Sequence, residues 1–181
     1  LTRQEADILA SFRKSYRSLI NWGRRSMTVE LFDHRNMTSE AIESFRQFHI
    51  RIAGRETRSQ SSWASQEQIV RDQRGYIVMG RFEGALVSSV LVLHGSQTAF
   101  YGVAVNDREL MGKGDAIGHW PLVYSILHAK AIGLTGFDIG PLASPHFNDK
   151  EAAIALFKKG FCDEIKADTY HEFRLRTPNA V

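Results

Sequence analysis

From Gly75 onward the chain alternates apolar and polar residues as a strand does, and after Gly118 it switches to helical spacing, an order that leaves few folds open. Tyr76 to Phe82, Ala85 to Leu93 and Gln97 to Val105 each have the period of two. They are separated by Glu83-Gly84 and by His94-Gly95-Ser96. Short turn-forming breaks of this kind predict an antiparallel meander. A loop from Asn106 to Gly118 follows. Val123, Ile126, Leu127 and Ala131 then fall on one helical face, with Pro121 near the first turn and Gly133 at the end. Thr135 to Gly140 reads as a short buried strand. Strand, helix and strand in succession require a parallel pair joined by a right-handed crossover. The expected fold is therefore α/β (α+β), with a mixed central sheet flanked by helices.

The flanks add helices and a first strand. Ile8, Leu9, Phe12, Tyr16, Leu19 and Ile20 recur at helical spacing, so one amphipathic helix is expected up to Gly23. Val29 and Leu31 alternate with polar neighbours in a short strand. Thr38 can cap a helix that buries Ile42, Phe45, Phe48 and Ile52 and stops at Gly54. Arg55 to Trp63 is polar and aperiodic, and reads as a loop anchored by its tryptophan, with a capping box at Ser65 and Gln68 opening the next helix. A second capping box, Asn148 and Glu151, opens a helix through Ile154, Leu156 and Phe157 to Gly160. A last strand or pair is expected over Phe161 to Ile165 and Tyr170 to Leu175.

With 181 residues, 43% of them hydrophobic, residues 1–181 suit one domain around one core. The chain begins at Leu1, so a longer parent chain, a missing second domain or a homodimer all remain compatible with it. No apolar run has the length of a membrane span, and Asp7, Arg13, Arg17, Arg24 and Arg25 oppose a signal peptide, so a soluble, cytoplasmic protein is expected. The single Cys162 excludes an internal disulfide and fits a reducing compartment; its place is read as the start of a late strand. A formal charge of +3 is too small to argue for nucleic acid, and the histidines lack metal-ligand spacing, so no metal is expected.

An antiparallel meander that turns parallel at one connection creates a switch point, and ligands favour the crevice beyond the carboxyl ends of the parallel strands. Here that crevice lies beside Tyr101 to Val105 and Phe137 to Gly140. If the two strands splay, their facing N–H and C=O groups need a ligand or water, and a pantetheine arm or a peptide could supply one, held by backbone at Val103 and Val105. The helix after Gly118 would aim its amino-terminal N–H groups at the same place, where they suit a phosphate or carboxylate. Gly112, Lys113 and Gly114 would allow close approach and add charge, although a surface loop of that composition is also common.

This order of elements resembles the GNAT acetyltransferase fold. Gly118-His119-Trp120-Pro121-Leu122, Ala129-Lys130-Ala131-Ile132-Gly133, Phe137-Asp138-Ile139-Gly140, Lys150-Glu151 and Phe157-Lys158-Lys159-Gly160-Phe161 look like its FemAB-like branch. The loop with Gly54-Arg55, Thr57-Arg58 and Ser62-Trp63 is similar to that of members associated with cell-surface polymers. The resemblance runs from about Thr38 onward. It implies transfer of an acyl or aminoacyl group from an acyl-CoA, another acyl thioester or an aminoacyl-tRNA to an amine on a cell-envelope or surface-polysaccharide precursor. Phe157 and Lys158 match the family's phenylalanine-lysine pair, which implies a lysine near the reacting carbonyl. The coenzyme A signature has Arg or Gln followed after two residues by a glycine; here three residues separate Arg108 from Gly112. A non-catalytic GNAT-shaped module that binds a ligand or partner is the alternative.

Acyl transfer to an amine needs donors for the developing oxyanion and routes for protons. Lys158 could stabilise the oxyanion with a backbone N–H near Val103, or sit solvated at a helix end, where the dipole favours a cation. Asp138 could orient or deprotonate the amine, or cap the turn through Gly140-Pro141. His119 could titrate near neutrality or be a packed or helix-capping residue. Tyr101 could protonate the leaving group or pack across strands. Arg51 and Arg55, on one helical face, and nearby Arg58 could receive an anion. Trp63 and Phe157 complete the expected substrate side.

Overall fold

The computed structural model describes residues 1–112, 114–142 and 149–166. Among the described residues five strands form one sheet whose spatial order follows the sequence: β1 (Met27–Phe32), β2 (Gly75–Phe82), β3 (Ala85–His94), β4 (Thr98–Asn106) and β5 (Gly136–Asp138). The first four pair antiparallel, and β5 lies parallel to β4. The helices are α1 (Glu5–Ser11), α2 (Tyr16–Ser26), α3 (Ser39–Ala53), α4 (Gln60–Arg71), α5 (Arg108–Gly112), α6 (His119–Ala131) and α7 (Asp149–Lys159). The meander and its single parallel crossover through α6 are as the change of period predicts.

Alternation assigns each face of the sheet to its own helices. Ile77, Met79 and Leu91 meet Phe45, Phe48, Trp63 and Val70 from α3 and α4. Their neighbours Tyr76, Val78, Val90 and Val92 point the other way, onto Ala129 of α6. Leu122, Val123 and Ile126 continue that layer towards Ile8, Tyr16 and Ile20 of α1 and α2. The caps of α3 follow the sequence signals. Thr38 accepts from the Ala41 N–H at 3.1 Å, and Gly54 closes the helix at φ 72°, where an L side chain would be strained. Among the described residues no helix is long and apolar enough to cross a membrane.

Several expectations about local structure are corrected. The opening segment is two helices, because Phe12 leaves helical geometry (ψ 154°) to set its ring 5.3 Å from Phe161, and the Arg13 N–H donates to the Gly160 carbonyl at 2.8 Å. Gly23 does not end the second of these helices but lies inside it, where a Cβ would stand 2.4 Å from the Trp120 Cβ. The polar stretch before Trp63 is a loop over Arg55 to Ser59 and turns helical at Gln60: Ser59, not Ser65, caps α4 by accepting from the Ser62 N–H, and Ser65 back-bonds to the Ser61 carbonyl within it. Burial of Trp63 against Phe45 fixes that turn despite its composition. The loop after β4 contains α5, and Phe161 to Ile165 is not a strand. Phe161 instead turns back to the Lys158 carbonyl and packs on Tyr16 and Phe157, leaving Cys162 in that turn rather than at a strand's start. Tyr170 to Leu175 and Asn148 lie outside the described residues.

Candidate active site

The β4–β5 ladder is short. Thr98, Ala99 and Phe100 face Gly136, Phe137 and Asp138, and β4 then runs on to Asn106 without β5 beside it. A bulge explains the parting: Val92 opposes Tyr101 and Leu91 opposes Val103, so Gly102 is the extra residue. A bulge bends its strand, increases twist and inverts the side-chain alternation beyond it. Ala99 and Tyr101 accordingly pack on the α6 side, whereas Val103 and Val105 turn onto the α3 and α4 side. Their side chains are committed to core, so only their backbone is available to a ligand in the gap. The strand β5 ends as Gly140 takes φ 82° and turns the chain away.

The amino terminus of α6 stands beside the far end of β4. A Cβ on Gly118 would lie 3.1 Å from the Asn106 Nδ2, so the backbone approaches that side chain closely. The Asn106 Oδ1 is buried without a hydrogen-bond partner among the described residues, and so is the hydroxyl of Ser88, its cross-strand neighbour. Buried polar groups left unpaired in this way cost free energy until a ligand or water pairs them. Sequence reasoning missed Asn106 and Ser88. The signal was present: Ser88 and Ser89 are two hydroxyls inside an otherwise apolar strand, and both are fully buried.

At the other side of the gap, Lys158 and Asp138 lie near enough for their charges to interact. The Lys158 ammonium donates to the Pro141 carbonyl at 3.2 Å and would stand 3.3 Å from a Cβ on Gly140. Partial burial pushes its pKa down, and the Asp138 carboxylate opposes that shift. The Asp138 Oδ1 accepts from the Gly140 N–H at 2.6 Å, the turn-capping contact, while the residue stays exposed. Its second oxygen has no hydrogen-bond partner among the described residues. Tyr101 shows no hydrogen bond from its hydroxyl to a described residue, and burial raises its pKa, so the phenol keeps its proton.

His119 corrects the expectation that it titrates near neutrality. Its ring is boxed by Tyr16 at 4.6 Å, Phe157 at 5.2 Å and Phe161 at 5.8 Å, and neither nitrogen has a hydrogen-bond partner among the described residues. Burial pushes its pKa down to about 4. The unfolded chain therefore takes up this proton first as pH falls below about 6.5, and stability is lost towards pH 4, by about 3 kcal/mol in all. His119→Phe should flatten that part of the profile. Thermal unfolding of both proteins from pH 7 to pH 4 checks this, and equal slopes would remove His119 as the cause.

The remaining candidates lie apart from the gap or do not converge. Phe157 is one wall of the His119 box. Trp63 is buried between Phe45 and His49. Arg51, Arg55 and Arg58 do not form one cationic face: Arg55 lies beyond the left-handed Gly54, Arg51 donates to the Leu86 carbonyl, and Arg58 binds the His49 ring. The helical extrapolation failed at Gly54. Gly112 ends α5, and Gly114 follows at φ 98° with open space around it; Lys113 lies outside the described residues. Among the described residues no group of three or more His, Cys, Asp or Glu could hold a metal ion.

No family model and no curated protein sequence matches the chain. Solved structures do. An aminoglycoside acetyltransferase from an uncultured soil metagenomic sample, in complex with sisomicin, superposes with a TM-score of 0.60 at 11% identity, over 83% of this chain and 99% of that one. FemX gives a TM-score of 0.69 at 14% identity over 88% of this chain, which spans 56% of its length. The aminoglycoside acetyltransferase AAC(6')-Iy, bound to a bisubstrate analogue of coenzyme A and acetylneamine, gives 0.59 at 9% identity, over 82% and 99%. At these identities the likeness establishes a shared fold, and that fold is the GNAT one.

Proposed function

We propose that this GNAT-fold chain is an N-acyltransferase whose donor lies in the gap between β4 and β5 and whose acceptor is an amine on a cell-envelope or surface-polysaccharide precursor. The observation that carries this reading is the bulge at Gly102, which opens a backbone-lined gap beside Lys158 and Asp138. A fold shared with acetyltransferases, one of them bound to a coenzyme A conjugate, supports it. The FemAB-like segments and the likeness to FemX support the envelope acceptor. The donor is an acyl thioester, with acyl-CoA the form that suits the amino terminus of α6 and the unpaired Asn106 and Ser88; an aminoacyl-tRNA is the other carrier to be tested.

In this mechanism the neutral amine attacks the carbonyl carbon, forming the N–C bond while negative charge gathers on the carbonyl oxygen. Lys158 and a β4 backbone N–H near Val103 stabilise that oxygen. The C–S bond breaks as the carbonyl re-forms. Asp138 takes the proton released by nitrogen, a role His119 cannot fill from inside its aromatic box, and Tyr101 supplies a proton to the leaving thiolate. Calorimetry with coenzyme A and acetyl-CoA, together with thiol release in the presence of supplied amines, tests the reading. Binding with amine-dependent thiol release is expected. Binding without any transfer to amines would instead favour a non-catalytic module, and neither binding nor transfer, with transfer from aminoacyl-tRNA, would move the donor to tRNA.

A further inference from the structure

Phe100 is a large aromatic side chain left 40% exposed on β4, at the last rung before β4 and β5 part. Its alternation partners Ala99 and Tyr101 point into the α6 layer, so its ring faces the opposite side of the sheet, ahead of the stretch where Val103 and Val105 are covered by α3 and α4. Directly across the parallel ladder stands the exposed Asp138. A Cβ on Gly140 would lie 3.5 Å from the Phe100 ring and 3.3 Å from the Lys158 ammonium. The absence of a side chain at Gly140 therefore keeps a flat aromatic face, a carboxylate and an ammonium contiguous at the mouth of the gap.

We propose that this surface is the acceptor subsite and that it takes an amino sugar, a pyranose ring stacked on Phe100 with its amine directed to Asp138. The inference rests on the acyltransferase reading and names its acceptor class. An aromatic face carries negative charge density that suits the polarised C–H groups on one side of a pyranose, while the edge of the sugar needs hydrogen-bond acceptors. The second oxygen of Asp138 is placed to accept from the sugar amine or an adjacent hydroxyl. A flexible alkyl amine would gain little from a ring face of this shape. The Lys158 cation disfavours an ammonium beside it and so favours the neutral amine that attacks. Phe100 is here a specificity residue that sets the ring, while Asp138 and Lys158 touch the reacting atoms.

Saturation-transfer NMR with glucosamine, on the protein with no donor present, reads the stacking directly. Ring-proton signals are expected with the native protein and should be lost in Phe100→Ala and weakened in Phe100→Leu, which keeps the apolar volume and removes the π face. In the transfer assay Phe100→Ala should raise KM for glucosamine about tenfold, the size of a lost stacking contact, with kcat changed much less, the pattern of removed uniform binding. The loss should be larger for glucosamine than for n-butylamine. Glucosamine giving no saturation transfer with the native protein, signals undiminished in both variants, or equal losses for the two amines would each overturn the proposal. The NMR arm is independent of catalysis. An inactive protein that still stacks glucosamine on Phe100 would reject the transferase reading alone, and an active one that does not would reject the sugar subsite alone.

Discussion

Replacing Lys158 with Met is expected to lower kcat by about two to three orders of magnitude, the usual effect of deleting one oxyanion donor, while donor affinity and melting temperature stay near those of the native protein. The geometry limits the structural cost. Among the described residues the ammonium makes one hydrogen bond, to the Pro141 carbonyl, and Met retains most of the aliphatic stem. The pH dependence gives a second reading of the same group. Partial burial lowers the pKa of Lys158, and the cation is the active form, so activity that depends on it should fall as pH rises, with a midpoint below the ordinary lysine range. Lys158→Arg should restore part of kcat and remove that alkaline limb, because guanidinium stays charged. An unchanged kcat in Lys158→Met would show that the lysine is only a solvated helix-end residue.

Gly23→Val should give the largest loss of stability. Residue 23 is where α2 crosses the start of α6, and a Cβ there would stand 2.4 Å from the Trp120 Cβ and 3.3 Å from its Cγ. Neither atom is the free end of a flexible chain, so relief requires the two helices to move apart. Overpacking of this kind costs about 1–3 kcal/mol, more than the roughly 0.5 kcal/mol a valine gains over glycine in helix propensity. The expected fall in melting temperature is roughly 3–10 °C at this chain length. The crossing also sets the amino terminus of α6 beside Asn106, so the variant should lose donor affinity as well. Calorimetric unfolding and titration measure both. A melting temperature equal to or above the native one would mean that the helices are not in close contact at this position.

The reach of sequence reasoning differs between periodicity and position. Alternation over Gly75 to Val105 followed by helical spacing determined the meander, the crossover through α6 and the parallel placement of β5, because side chains on a strand repeat every two residues and a βαβ connection has one favoured hand. Capping chemistry at Thr38 and Gly54 was legible for the same local reason, since each side chain or φ value acts on its own turn. The gap beside Tyr101 was legible as a topological consequence. Its cause, the bulge at Gly102, was not, because a glycine in a strand reads the same whether or not a residue is extra.

Tertiary structure decided what depends on residues distant in sequence. Phe12 breaks the first helix because Phe161 offers its ring a place, and Trp63 carries a polar stretch into helix because Phe45 buries it. His119 looked titratable until Tyr16, Phe157 and Phe161 closed around it. Arg51, Arg55 and Arg58 looked like one cationic face until Gly54 ended the helix between them. Phe100 drew no notice as a strand aromatic, and became informative only as the uncovered neighbour of Asp138 and Lys158. Local propensity and period are properties of consecutive residues, so the sequence by itself determined the elements and their order. Desolvation, burial and convergence are properties of residues brought together from far apart in the chain, and those were fixed only when the sheet and its two helical layers were assembled.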